Sequence, residues 1–193
     1  MKNKFKKLLA LLLIVFGSYS FTTVLNEKIN INVDKSNLHW KGFKVTGSHE
    51  GNLKFKSGTL TFTEDGKLVD GTFLIDMKSM DCTDLEGEYK EKLDGHLKSK
   101  DFFGTNEHPS ANLQFKEITV SGKNSYRIKG DLTIKGITNS IEFDFSIYGK
   151  KATAALKIDR TKYDIKYGSS SFFDGLKDKA IYDDFDIKVD LEF

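Results

Sequence analysis

This sequence predicts an all-β fold: an antiparallel barrel of about eight strands with one short helix and two long loops. Three observations carry that prediction. Apolar and polar residues alternate with period two from Ile29 onward, tight turn signals separate the alternating runs, and only two stretches break the pattern. Strands this numerous and this closely joined suit a closed barrel, which abolishes its own edges, better than an open sheet. A sandwich is the other architecture compatible with the pattern.

The chain begins with a leader. Met1 to Lys7 carries four lysines and no acid, and Leu8 to Phe16 is an unbroken apolar run that gives way to Gly17-Ser18-Tyr19-Ser20. A run of about nine residues is short for a membrane-spanning helix, which needs roughly 20, and fits the apolar region of a secretory signal peptide. Cleavage is expected after Ser20, so residues 1–20 are the signal peptide and 21–193 one mature domain. The only cysteine, Cys82, lies far downstream, so the expected product is a periplasmic or secreted protein and not a lipoprotein.

Alternation then reads, in order, through Ile29, Ile31 and Val33, through Leu53 and Phe55, and, after a turn expected at Ser57-Gly58, through Leu60 and Phe62. It continues in Phe73-Ile75-Met77, Ala111-Leu113-Phe115, Tyr126-Ile128 and Leu132-Ile134, each name marking every second residue. The last runs are Ile141 to Ile147, Ala152 to Ile158, and Phe185 to Phe193. Glu64-Asp65-Gly66-Lys67, Ser121-Gly122-Lys123-Asn124, Gly136-Ile137-Thr138-Asn139 and Tyr148-Gly149-Lys150 read as hairpin connections between them.

The first interruption, Asp81 to Pro109, contains Thr83-Asp84-Leu85-Glu86, which reads as a capping box. Leu85, Tyr89, Leu93 and Leu97 recur every four residues after it, so a short helix is expected from near Asp84. The second, Tyr163 to Asp183, has no period and carries adjacent aromatics in Tyr167-Gly168-Ser169-Ser170-Ser171-Phe172-Phe173. A structured loop with a helical turn near Leu176 is expected there, and loops of this length are functional lids or rims in compact barrels.

Charge and cysteine content narrow the function. Loss of the leader's four lysines leaves all 28 acidic residues in place, so the formal charge moves from +2 to about −2. Nothing then attracts a polyanion over long range, and nucleic acid is set aside as a partner. A single cysteine makes no internal disulfide, so stability rests on packing, for which 16 Phe, 7 Tyr and one Trp supply the area. Cys82 itself reads as inert.

Catalytic constellations are mostly missing: there is no Gly-x-Ser-x-Gly elbow, no His-Glu-x-x-His and no phosphate-binding glycine loop. His39, His49, His96 and His108 have no helical zinc spacing, although histidines on different strands could still meet in a barrel. A loop-based metal or enzymatic site at His96, Asp101 and His108 stays open as an alternative. Asp159-Arg160 opens a tyrosine-rich turn, where the pair either fixes the turn or presents a cation to a ligand. The phenylalanines give the positive signal, since a small barrel holds either a solid core or one apolar ligand, and period alone does not separate these.

Gly95-His96-Leu97-Lys98-Ser99-Lys100-Asp101-Phe102-Phe103 followed by His108-Pro109-Ser110-Ala111 resembles the signature of the YceI-like family of secreted, lipocalin-like proteins. Gly130 to Thr138, Asp159 to Tyr163, Tyr167-Gly168-Ser169 and Leu176 to Phe185 add to the resemblance, as do Trp40-Lys41-Gly42 and His49-Glu50-Gly51. It implies a non-enzymatic carrier, with no cofactor, whose barrel interior holds a polyisoprenoid lipid or quinone; a prenyl chain gains roughly 0.8 kcal/mol per buried CH₂ in a dry tunnel. Transient membrane or membrane-protein contact and a homodimer are compatible with it. The alternative is a barrel with a filled core that acts through its loops on a protein partner.

On that resemblance the candidate tunnel residues are Phe55, Phe115, Tyr126 and Phe143 on strands, with Phe102, Phe103, Phe172 and Phe173 at the mouth or upper wall. His96, Lys98 and Arg160 are candidates for a polar head group. One departure stands out: where the family often has Leu-Gly-Asp-Lys, this chain has Leu176-Lys177-Asp178-Lys179, which puts a side chain at a position of special backbone angle.

Overall fold

Alternation becomes pairing in the computed structural model, which describes residues 26–193. The expected signal peptide and the first residues of the mature domain lie outside the described residues. The strands are β1 (Asn26–Asn30), β2 (Asn37–Lys44), β3 (Gly47–Thr63), β4 (Leu68–Cys82), β5 (Ser110–Gly122), β6 (Ser125–Ile134), β7 (Ile137–Tyr148), β8 (Lys151–Asp159) and β9 (Ile181–Glu192). The helix α1 (Gly87–Lys98) lies between β4 and β5. Every pairing is antiparallel, in the order β3-β2-β9-β8-β7-β6-β5-β4, and β3 pairs β4 to close an eight-stranded barrel. β1 is an extra strand beside the lower half of β3.

The expected turn at Ser57-Gly58 is absent: β3 runs straight through it as one strand of 17 residues. What sits there is a register irregularity between Phe55 and Ser57, and Gly58 makes room for neighbours. A Cβ on Gly58 would lie 2.6 Å from the Phe73 ring and 2.8 Å from Ile31 Cδ1. The signal was therefore close packing rather than chain reversal. Lys135 and Gly136 form the β6–β7 turn with φ of +51° and +75°, a two-residue reversal suited to the twist of its strands.

Connections at the two ends of the barrel differ. Short turns join β3–β4, β5–β6 and β7–β8 at one end, where Ile31 N donates to Gly58 O, Asn32 N donates to Glu192 O, and Phe62 stacks on Phe193 with centroids 5.8 Å apart. That end is closed by apolar packing. At the other end lie α1, the Ser99–Pro109 segment and the Asp164–Ala180 loop.

The helix starts at Gly87, later than the sequence suggested, because the expected cap is used elsewhere. Thr83 Oγ1 donates to Glu50 O, while Asp84 accepts from Glu50 N at 3.1 Å and from His49 Nδ1 at 2.9 Å. These bonds tie the approach to α1 onto β3 instead of capping the helix. Leu93 and Leu97 face the interior and Tyr89 is exposed, since a four-residue step overshoots the helical turn by about 40°. Cys82 is buried and donates through Sγ to Asp84, and burial raises its thiol pKa, as befits an inert residue.

Burial pulls the Asp84 carboxyl pKa upward, but hydrogen bonds from Cys82, Glu50 N and His49 outweigh it and hold the group at about 2, against an ordinary 3.8. A depressed carboxylate contributes stability above the unfolded-state value that is lost as pH falls through the folded one. About 2 kcal/mol should therefore disappear between roughly pH 4 and pH 2. Acid unfolding monitored by circular dichroism should show that loss in the wild type and a flattened profile in Asp84→Asn. Lys177 has φ of +50° in the 3₁₀ turn Lys177–Lys179. Lys177→Gly should relieve the left-handed strain and gain about 1 kcal/mol, raising Tm by roughly 2–4 °C in calorimetry.

Candidate functional site

Inward-facing residues of β2 through β9 enclose a cavity of about 350 Å³ along the barrel axis. On β9 its wall reaches from Ile181 to Leu191, about 33 Å of strand, so the space is long rather than round. Its lining is almost wholly apolar. The cavity's exposed lining residues, Lys44, Tyr167, Tyr182 and Asp184, gather at the loop end, where the β2–β9 ladder breaks register between Gly42 and Lys44. The opposite end is sealed as described, which makes the cavity a blind tunnel.

A tunnel survives among so many aromatics because strand glycines take the rings. A Cβ on Gly71 would lie 2.5 Å from the Phe115 ring, and one on Gly51 would lie 2.7 Å from Trp40 Cζ2 and 2.0 Å from Asp81 O. The rings thus lie flat against the wall. Phe55, Phe73, Phe115 and Phe143 form a continuous chain with centroids 6.1, 5.7 and 5.8 Å apart, in the tilted and edge-on arrangements that aromatic quadrupoles favour.

Phe55, Phe115 and Phe143 line the tunnel on the strands, and Phe102 and Phe103 line its loop end in edge contact at 5.2 Å. Tyr126 is different. It is buried on the inner face of β6 but outside the cavity lining, near the sealed end. Phe172 and Phe173 are also outside the lining and half exposed, because Phe172 N and Phe173 N both donate to Ser169 O in turns that hold the rings outward.

Among the head-group candidates, His96 lines the tunnel. Its ring meets Tyr167 edge-on at 4.4 Å and Phe102 at 5.5 Å, and its Nε2 is buried with no hydrogen-bond partner. Lys98 does not line the tunnel; its carbonyl accepts from Thr105 N and so shapes the segment after α1. Arg160 lines the tunnel but is committed: Nε donates to Tyr182 O at 3.0 Å, one terminal nitrogen to Ile165 O at 2.7 Å and the other to Ile181 O at 2.9 Å. Its guanidinium also lies over Phe102 at 5.5 Å, and Asp159 accepts from Thr161 N and Oγ1 to start the turn.

Asp101 is exposed, His108 packs beside Gly104 and Gly136, and neither lines the tunnel with His96. Among the described residues, no group of three His, Cys, Asp or Glu side chains is placed to hold a metal ion. Trp40 went unrecognised as a site residue, although it lines the tunnel with Nε1 buried and unpartnered. The glycine opposite it in the β2–β3 register, Gly51, was the signal that could have marked it.

Residues 29–193 match the YceI-like domain. The chain belongs to the YceI-like family. Burkholderia cenocepacia BcnA superposes with a TM-score of 0.67 at 23% identity, over 83% of this chain and 98% of that one. A polyisoprenoid binding domain from Saccharophagus degradans, implicated in plant cell wall breakdown, superposes with a TM-score of 0.57 at 13% identity, over 88% and 97% of the two chains. At these identities the likeness establishes the YceI-like fold. A UPF0312 protein of Staphylococcus aureus strain MRSA252 is 49% identical over 59 residues, 31% of this chain and 32% of that relative. The match spans about a third of the length of such curated relatives.

Arg160 serves this YceI-like barrel as the anchor of its open end. Arg160→Leu should leave three carbonyls without donors and cost about 3–5 kcal/mol in urea unfolding. Arg160→Lys should recover little of it, because an ammonium lacks the fork that reaches three acceptors.

Proposed function

We propose that this protein is a non-enzymatic carrier that holds one polyisoprenoid lipid or quinone in its blind tunnel outside the cytoplasm. The observation that carries the reading is the tunnel's form: about 350 Å³ of apolar space, drawn out along the axis and reaching the surface at one end. Compact ligands fit round pockets, whereas a methyl-branched chain fits a narrow apolar tube and gains stabilisation along its whole length.

The few polar groups in the wall support a neutral head rather than a charged one. Three of the five Arg160 N–H groups are held by carbonyls and Asp183 Oδ1 lies 3.6 Å from Nη2, so a diphosphate finds a guanidinium already engaged and its charge countered. His96 Nε2 and Trp40 Nε1 have no partners, and such groups suit a carbonyl or hydroxyl of the ligand. The leader expected at residues 1–20 supplies the location, and the polyisoprenoid binding domain of Saccharophagus degradans supplies a precedent within the fold. Carriage of this kind asks for shape and dryness and for no chemistry.

Organic extraction of protein purified from its native host, followed by mass spectrometry, should yield about one prenyl lipid or quinone per protein. Ala154 lines the tunnel on β8, so Ala154→Trp should fill it, leave the fold within about 1 kcal/mol of wild type and abolish the co-purifying lipid. An empty wild-type extract after lipid feeding, or a plugged variant that still carries lipid, would overturn the reading.

A further inference from the structure

Half-exposed aromatics cluster beside the tunnel opening. Phe172 and Phe173 are 50% and 51% exposed, Tyr167 and Tyr182 are 49% and 55% exposed, and the two tyrosines also line the tunnel. Val45 belongs to the same rim, since its N–H donates to Ala180 O. Isolated exposed apolar side chains are ordinary, but several on the segments that frame the opening of an apolar tunnel are not.

The loop presents these rings by construction. Ser169 is fully buried, its N–H donates to Lys166 O, and its carbonyl accepts from both Phe172 N and Phe173 N. Ser171 Oγ donates to Asp183 Oδ2 at 2.6 Å, and Ile181 N donates to Gly168 O at 2.8 Å. These bonds hold the loop's backbone in the turn from which both phenylalanine rings project outward. Their exposure follows from that backbone path.

We infer that this rim docks on a lipid bilayer, with Phe172 and Phe173 seated at headgroup depth so that the opening between Tyr167 and Tyr182 faces the leaflet. The inference rests on the tunnel being a lipid site. A prenyl lipid resides in membranes, and an opening pressed to the leaflet lets it pass without meeting water. The chemistry around the rings favours that occupant. Lys166 Nζ lies 5.1 Å from the Phe172 centroid, and Lys177 and Lys179 follow on the same loop, so long cationic side chains flank aromatic tips as they do at membrane interfaces. Asp164, Asp174 and Asp178 balance those lysines, so ring insertion supplies the binding, and salt dependence is weak.

Flotation with phosphatidylcholine–phosphatidylglycerol vesicles tests this, using protein without residues 1–20, in which the whole barrel is retained. Wild type should float, and should float on pure phosphatidylcholine nearly as well. Phe172→Ser with Phe173→Ser should weaken vesicle binding roughly a hundredfold, about tenfold for each half-buried ring, and slow uptake of a prenyl lipid from the vesicles. Phe172→Trp with Phe173→Trp should keep both. Binding of geraniol, a soluble short prenyl alcohol, should be unchanged in the serine variant, which shows that the tunnel is intact. Wild type that does not float, or a serine variant that floats equally, would overturn the docking rim. Dimerisation in the ultracentrifuge, lost in the serine variant and without flotation, would overturn it in favour of a self-interface. Flotation of wild type and of the plugged Ala154→Trp variant, with no lipid uptake by either, would uphold docking and count against the carrier alone.

Discussion

Closure through β3 is the constraint on which the rest of the structure depends. One edge of this strand bonds β2 along its upper half and β1 along its lower half, and the other edge bonds β4. A strand of 17 residues bends around the barrel only by slipping register, and its ladder with β4 does so between Asn52 and Lys54, Phe55 and Ser57, and Thr61 and Phe62. With a single cysteine in the chain, this backbone pairing and the packing inside it carry the stability. The same closure leaves β1, among the described residues, as the one strand paired on a single side, where an open sheet of these apolar strands would offer longer edges to other chains.

Closed barrels of this size tend to fill, and here the balance is tipped by residues without side chains. Gly51, Gly58 and Gly71 let the Trp40, Phe73 and Phe115 rings lie on the backbone instead of across the axis. Each ring is well packed on the wall side and free on the other. A wall of this kind buries aromatic area for stability and still leaves apolar surface for a guest. Arg160 completes the arrangement at the open end, where three backbone carbonyls, two from the start of β9 and one from the loop that follows the Arg160 turn, accept from one side chain.

The strand pattern was legible because period-two alternation and hairpin glycines are local signals, and nearly every run from Phe73 to Phe193 became a strand in its expected place. Local signals misled where residues answered to distant partners. Thr83 and Asp84 look like a cap but bond Glu50 and His49, which are far away in the sequence. Ser57-Gly58 looks like a turn, yet its glycine accommodates Ile31 and Phe73. At the site, inward facing could be read for Phe55, Phe115 and Phe143 from strand phase, whereas depth along the axis could not, so Tyr126 fell below the tunnel floor. Phe172 and Phe173 carried no phase at all, and only the hydrogen bonds of their loop reveal that they point outward.

Trp40 is the only tryptophan of the chain, and it stands in the tunnel wall with its indole nitrogen buried and unpartnered. Excited at wavelengths that the seven tyrosines do not absorb, the protein therefore emits from a single indole that stands in the wall of the guest's space. An aliphatic guest changes the polarity and hydrogen bonding around that indole, while a redox-active ring quenches it by accepting an electron. The barrel thus contains its own optical reporter of occupancy, one that distinguishes a prenyl chain with no redox-active ring from a quinone without any added label.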